Sequence, residues 1–214
     1  MPDPFARQRQ RMVKDQIYAR GIRDAPVLAA MGSVARELFV PKDRRANAYE
    51  DRPLPIGYGQ TISQPYIVAY MVEALALSGA ERVLEIGAGS GYAAAVLAQI
   101  ADQIIAIERI EELAKSAAGN LTAADYKNVQ IIHGDGSNGW PQAAPYDAIL
   151  ISAASPDVPQ SLKDQLKPGG RLIVPLGSDA YIQNLVRVTR RKDKSFKREA
   201  LADVRFVPLI GGEA

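Results

Sequence analysis

Glycines at 87, 89 and 91 stand behind an acid at 85, a second acid follows at 108, and a polar run, Gln60-Thr61-Ile62-Ser63, precedes both. In Arg82-Val-Leu-Glu-Ile-Gly-Ala-Gly-Ser-Gly-Tyr92 an apolar run enters a glycine-rich turn and leaves into an alanine-rich stretch: strand, tight turn, helix. Glycine permits positive φ and close approach of a ligand to the main chain, and a helix start offers free N–H groups. A nucleotide-like ligand suits such a turn. Dinucleotide loops read G-x-G-x-x-G, whereas this one reads G-x-G-x-G with Glu85 two positions ahead. A carboxylate there repels a pyrophosphate and attracts a cation, such as the amino group of a methionine moiety. Glu108 ends the next apolar run, Gln103-Ile-Ile-Ala-Ile-Glu108, where a strand-tip carboxylate can accept both hydroxyls of a ribose. Together these features favour S-adenosylmethionine over NAD.

The remaining polar candidates carry weaker signals. Ser63 precedes Gln64-Pro65 and an apolar helical run to Leu77, so its hydroxyl is expected to cap that helix. Attack by this serine is disfavoured, because no G-x-S-x-G elbow surrounds it and nothing supplies a histidine base. The glycines at 57 and 59 and the polar run after them nevertheless read as a ligand-facing turn. Asp135, in His133-Gly-Asp-Gly136, has two open readings: a turn-forming Asp-Gly, or an acceptor for the exocyclic amine of adenine. Ser152-Ala-Ala-Ser-Pro156 follows a buried strand, Tyr146 to Ile151, with small residues that leave space.

Strand and helix patterns alternate around these residues. A helix at 91–100, a strand at 103–108, a helix at 111–121, strands at 129–132 and 146–151, a short helix at 162–166, a turn at Pro168-Gly-Gly170 and a strand at 171–176 describe a doubly wound, mostly parallel α/β sheet. Runs at 181–189 and 201–207 flank the charged segment 190–198 and suggest an antiparallel hairpin at the sheet edge with a solvated tip. Ahead of the core, residues 4–20 form an amphipathic helix, 25–31 a second helix capped by Asp24, and 39–58 an irregular wrap. One domain, 1–214, is expected, with 1–62 as an N-terminal extension and 63–214 as the cofactor-binding core. The net charge of +2 and pI of 8.8 do not make a nucleic-acid surface, and the Arg7, Arg9, Arg11 cluster reads as a solvated helix face. Cysteine is absent, which excludes disulfides, thiolate nucleophiles and cysteine-based zinc sites. With one histidine, no membrane-length apolar run and no signal-peptide core, a cytoplasmic, metal-free monomer is the expectation.

From about Met12 to Leu209 the chain resembles the protein-L-isoaspartate (D-aspartate) O-methyltransferases, a family of class I, Rossmann-like methyltransferases. Gly59-Gln-Thr-Ile-Ser-Gln-Pro-Tyr66 is the most specific piece. The run 83–91, His133-Gly-Asp-Gly136, Tyr146-Asp-Ala-Ile149, Leu166-Lys-Pro-Gly-Gly-Arg-Leu-Ile173 and Phe206-Val-Pro-Leu209 agree in order. The resemblance implies Ser63 at the active site, orienting the acceptor, with Gln60, Thr61 and Ile62 beside bound S-adenosylmethionine. It implies Glu85, Gly87, Ala88, Gly89, Ser90 and Gly91 at the methionine part, Glu108 at the ribose, Asp135 and Gly136 at the adenine, and Val207, Pro208 and Leu209 at the substrate main chain. Ser152 belongs to the same cofactor wall. Ser137, where relatives often carry a bulky aromatic, and Ser152, commonly threonine, depart from the pattern. The implied substrates are isoaspartyl-containing proteins and peptides, with D-aspartyl residues as further acceptors.

The inventory of side chains suits that chemistry. A free carboxyl with a pKa of roughly 3.5 to 4 is already ionised at neutral pH. Its attack on a sulfonium carbon needs alignment rather than a base, and alignment is worth up to roughly 7 to 11 kcal/mol. Two rival readings are a non-catalytic adenosylmethionine-binding module and a methyltransferase for small carboxylates or nucleic acid. The absence of the Asp/Asn-Pro-Pro-aromatic tetrad after residue 151 weighs against base amines as acceptors.

Overall fold

The computed structural model describes residues 3–178 and 182–211. The N-terminal segment begins with α1 (Ala6–Arg11), widens into an i→i+5 helix over Met12–Ile17, and closes with a 3-10 turn, Tyr18–Arg20. Met12 and Ile17, five positions apart, are the residues it buries. Gly21, at φ 104, ends it. Helix α2 (Ala25–Ser33) starts as its sequence requires: the Asp24 carboxylate accepts the Val27 N–H at 3.0 Å, and Pro26 occupies the first turn.

The wrap that follows is more regular than its composition suggests. It holds two 3-10 segments, Arg36–Phe39 and Lys42–Asn47, and then a hairpin of β1 (Leu54–Gly57) and β2 (Gln60–Ile62), with Tyr58 and Gly59 at its tip. Both tip residues have positive φ, as does Gly57. Arg9 corrects the reading of a solvated helix face. It pairs with Asp3, lies 3.8 Å from Glu37 and donates to the Tyr49 hydroxyl at 3.1 Å, while that hydroxyl donates to Glu37. Arg7 and Arg11 are exposed as expected.

Helix α3 (Pro65–Leu75) brings a second correction. Proline prefers the first helical position, and the residue before it is pushed to extended backbone, so Gln64 rather than Ser63 becomes the cap residue. No side chain bonds the helix start, and Ser63 is released from the capping role expected of it. The helix stops at Leu75, before the expected Leu77, where Ala76 turns left-handed at φ 48.

The core sheet comprises β3 (Arg82–Ile86), β4 (Gln103–Glu108), β5 (Val129–His133), β6 (Tyr146–Ile151), β7 (Leu166–Leu176), β8 (Gln183–Arg190) and β9 (Phe196–Val204), in the order β5-β4-β3-β6-β7-β8-β9. The first five are parallel, and β8 and β9 add antiparallel. Helices α4 (Tyr92–Ala98), α5 (Glu111–Ala123) and α6 (Gln160–Asp164) lie in the crossovers. Alternation along the strands divides the core. Val83, Ile104, Ala106, Ala148 and Leu150 pack with α2, α3 and α4, while Leu84, Ile86, Ile105, Ile107, Ile149 and Ile151 pack with Val158 and Leu162. Burying each of these valine, leucine and isoleucine side chains contributes about 1.5 to 3 kcal/mol.

Two edge features differ from expectation. The Pro168-Gly-Gly170 turn is an excursion inside β7: Tyr146 pairs with Leu166 and Ala148 with Arg171, so five steps on one strand face two on the other. The tip between β8 and β9 shrinks to residues 191–195, closed by Arg191 N–H donating to Ser195 O, because the charged segment runs into the strands: Arg190 ends β8, and Lys197 and Arg198 face solvent from within β9. Tyr181, the start of the expected run at 181–189, lies outside the described residues. The strand order reverses at β3, between β4 on one side and β6 on the other, and the carboxyl ends beside that switch are where open α/β sheets bind ligands.

Candidate active site

Four strand ends converge there. The turn after β3 is tied to β4 by Gly87 and Ala88 N–H groups, which donate to Ile107 O at 2.9 and 3.1 Å. It is tied to the end of β6 by Ser152 N–H, which donates to Ile86 O at 2.8 Å. Gly87, Gly89 and Gly91 all have positive φ. Two of them serve different ends. A Cβ on Gly89 would come within 3.3 Å of Ile56 in β1, so the hairpin lies close over the turn, whereas a Cβ on Gly91 would press Leu121 of α5 at 3.2 Å.

The cleft formed around this turn encloses about 1020 Å³, counting its open mouth. Gln60, Thr61, Ile62 and Ser63 from the hairpin and its exit form one wall, and Gly87 to Ser90 form the floor. Glu85, Glu108, Gly136 and Ser152 close the strand-end side, and Val207, Pro208 and Leu209 close the mouth. These are the residues singled out in the sequence. Gly91 and Asp135 are not among the lining residues. Gly91 packs on α5, and Asp135 stands behind Gly136 with a carboxylate oxygen accepting the Ser137 N–H at 2.8 Å. The 207–209 segment is fastened to the loop after β6 by Ala154 N–H to Val207 O and Leu209 N–H to Ala154 O, both 2.7 Å.

The two acids differ in state. Glu108, 6% exposed, accepts Gly89 N–H at 2.8 Å and Ile110 N–H at 2.9 Å, one on each oxygen. Glu85 is wholly buried and neither carboxylate oxygen has a hydrogen-bond partner. Burial, with the Glu108 charge adding to it, pushes its carboxyl well above the usual range. Such an acid is costly to keep unless something polar or cationic meets it. The Ser90 hydroxyl is likewise buried without a partner.

Other lining residues carried no sequence signal. Val68, Met71, Tyr92 and Leu150 read as core and are core on one side, yet they also form the apolar wall of the cleft. Arg109 and Ile210 line it as well. No histidine, cysteine, aspartate or lysine is among the described lining residues.

The protein-L-isoaspartate(D-aspartate) O-methyltransferase family model matches residues 7–214. The chain belongs to that family. Among members with curated descriptions, protein-L-isoaspartate O-methyltransferase 1 of Rhodopseudomonas palustris (strain HaA2) is 63% identical over 209 residues, covering 98% of this chain and 85% of the relative. Protein-L-isoaspartate O-methyltransferase 2 of Pelobacter propionicus is 55% identical, covering 96% and 92%. A solved protein-L-isoaspartate O-methyltransferase superposes with a TM-score of 0.84 at 29% identity, over 95% of this chain and 66% of the other. A Plasmodium falciparum protein assigned to the same activity, crystallised with S-adenosyl-L-homocysteine, gives 0.81 at 26% identity over 94% and 98%. The isoaspartyl methyltransferase fold, with its parallel sheet and antiparallel edge, is therefore common to this chain and its relatives.

Proposed function

We propose that the cleft binds S-adenosylmethionine and that the chain transfers its methyl group to the free α-carboxylate of L-isoaspartyl residues in damaged proteins and peptides. The observation that carries this reading is the pairing of an unpartnered buried acid, Glu85, with a serine wall freed from helix capping. A cationic ligand group relieves the cost of the first, and the second leaves a hydroxyl to meet an anionic acceptor. Glu85 would take the ammonium of the methionine part, the turn 87–90 its backbone, Glu108 the ribose, and the loop at Asp135-Gly136 the adenine. Bound there, the cofactor supplies a methyl carbon on a positively charged sulfur.

The chain's own side chains then have little proton chemistry to do. Ser63 donates a hydrogen bond from its hydroxyl to the acceptor carboxylate, which stays ionised, and fixes its direction. The main chain of 207–209 aligns the peptide, and Val68, Met71 and Leu150 keep water from the reacting centre. The acceptor arrives ionised, so the lack of a histidine or other free base among the described lining residues is no obstacle. The ester product closes to a succinimide as the adjoining main-chain nitrogen attacks the ester carbonyl and methanol leaves, and water reopens the ring in part as normal aspartate. A cytoplasmic monomer acting on protein rather than nucleic acid, with residues 1–214 working as one unit, completes the reading. The near-balanced charge supports the choice of substrate class.

The deciding assay compares base-labile methyl incorporation into an isoaspartyl peptide, its aspartyl isomer and its D-aspartyl isomer. Label in the isoaspartyl peptide and not in the aspartyl one is expected, and the D-aspartyl arm reads the second acceptor of the family's description. Equal label in isoaspartyl and aspartyl peptides would make the chain a general carboxylate enzyme, and none in any peptide a binding module.

A further inference from the structure

Arg36, in the N-terminal extension, is fully buried and takes no direct part in the chemistry above. Its Nε donates to Ala48 O at 2.7 Å and its Nη2 to Ser63 O at 2.8 Å. The guanidinium carbon stands 4.6 Å from the centre of the Tyr92 ring, and Nη1 makes no hydrogen bond. No carboxylate pairs with it among the described residues; its neighbour Glu37 is engaged by Tyr49. A buried cation met by two carbonyls and the Tyr92 side chain is an expensive way to fill a core, where an apolar side chain of similar volume serves at least as well. What it uniquely does is join two segments by directional bonds from one rigid fork while its face lies against a third, the Tyr92 ring. Two of the residues it meets, Ser63 at the hairpin exit and Tyr92 at the start of α4, line the cleft. Among the described residues no other side chain bonds the Ser63 main chain.

We propose that Arg36 is a positioning residue for methyl transfer, holding the Ser63 main chain at a set distance from the start of α4 so that the serine hydroxyl meets the acceptor in line with the donor. This rests on the role given to Ser63 above. A shift of about 1 Å in a reacting group costs on the order of a hundredfold in rate, so a buried clamp on the Ser63 carbonyl has a kinetic consequence larger than its contribution to the fold.

The test is a double-mutant cycle on the full-length protein with Arg36→Lys, Ser63→Ala and the pair, reading kcat and KM for an isoaspartyl peptide, S-adenosylhomocysteine affinity by calorimetry, and thermal unfolding. Lysine keeps the charge but cannot span both carbonyls. The expected result is a fall in kcat of at least about tenfold for Arg36→Lys, with KM and S-adenosylhomocysteine affinity changed by less than about threefold, and no further loss when it is added to Ser63→Ala. Additive losses in kcat overturn the proposal, because Arg36 then acts independently of Ser63. If Ser63→Ala alone leaves kcat unchanged, the role of Ser63 fails first and is seen to fail. Arg36→Gln, which keeps N–H donors without the charge, is the second variant. Loss of cooperative unfolding and of S-adenosylhomocysteine binding in both variants also overturns the proposal and leaves Arg36 a core residue.

Discussion

Glu108 accepts the Gly89 N–H at 2.8 Å, so the acid that ends one strand holds the glycine turn that ends its neighbour. Its other oxygen accepts Ile110 N–H at 2.9 Å, and the carboxylate is thereby fixed before any ligand arrives. Glu108→Gln keeps the shape but turns an amide N–H₂ toward one of these donors. Bonds to a charged acceptor are worth about 1.5 to 3 kcal/mol each. Calorimetry is expected to show S-adenosylhomocysteine affinity reduced at least about tenfold, with unfolding lowered by several degrees. Affinity within about twofold of the parent would take Glu108 out of the ligand site.

Ser63 is the group assigned to the acceptor, and its hydroxyl has no capping duty to lose. Ser63→Ala is therefore expected to unfold within about 2 °C of the parent and to bind S-adenosylhomocysteine within about threefold. Turnover of the isoaspartyl peptide falls by about ten- to a hundredfold. Unchanged turnover removes Ser63 from the mechanism, and lost cofactor affinity reassigns it to the donor side.

The strand, turn and helix at 82–98 were legible because buried parallel strands are continuous apolar runs and the glycines mark where φ turns positive. The same reasoning placed Glu108 at a strand tip. It could not see that Gly91 packs on Leu121 and lies outside the cleft lining, since a glycine required by packing and one required by close approach have the same letter. Ser63 was misread because capping preference was weighed without the stronger demand of Pro65 for the first helical position. The hairpin at 54–62 was hidden because two strands of four and three residues, one carrying a proline, show almost no alternation. Arg9 and Arg36 are invisible in principle, because a lone arginine's burial depends on carbonyls and acids far along the chain.

Tyr49 illustrates the stability side of that hidden network. Its hydroxyl accepts from Arg9 at 3.1 Å and donates to Glu37, and burial with the Glu37 charge drives its pKa far up, so it stays a neutral donor. Tyr49→Phe leaves the buried Glu37 carboxylate short of a donor, at a cost of about 1 to 3 kcal/mol. A loss of several degrees in thermal unfolding, with cofactor affinity in the folded protein unchanged, is the expected result. No loss would make the network ornamental.

Glu85 links ligand binding to pH. Its carboxyl is raised in the ligand-free fold above the usual value of 4.5, so it stays protonated there while the unfolded chain ionises. A raised acid contributes its stability below about pH 4.5 and loses it as pH climbs through the folded value, because the unfolded state then holds fewer protons. Ligand-free protein should therefore lose thermal stability as pH rises above about 4.5 more steeply than Glu85→Gln, whose amide does not titrate. The variant should also bind S-adenosylhomocysteine more weakly and without releasing the proton that the parent gives up. Calorimetry in buffers of different ionisation enthalpy counts that proton. Equal pH slopes and equal proton counts in the two proteins would falsify the assignment.

Gly134 and Gly136 sit two residues apart in one loop and make a controlled pair. Neither requires positive φ, so substitution tests space alone. A Cβ on Gly134 meets nothing within 4 Å, whereas one on Gly136 would stand 2.6 Å from Cγ2 of Ile86, a residue buried in β3 that has nowhere to go. Overpacking of this kind costs about 1 to 3 kcal/mol, or about 2 to 4 °C for each in a chain of this length. Because Gly136 lines the cleft where the Asp135 loop meets the strand ends, any relief by backward movement of that loop widens the end proposed for adenine. Gly136→Ala should thus lose both thermal stability and adenosyl-ligand affinity, while Gly134→Ala loses neither. Equal behaviour of the two variants would mean that the loop yields freely, and that contact with Ile86 does not shape this end of the site.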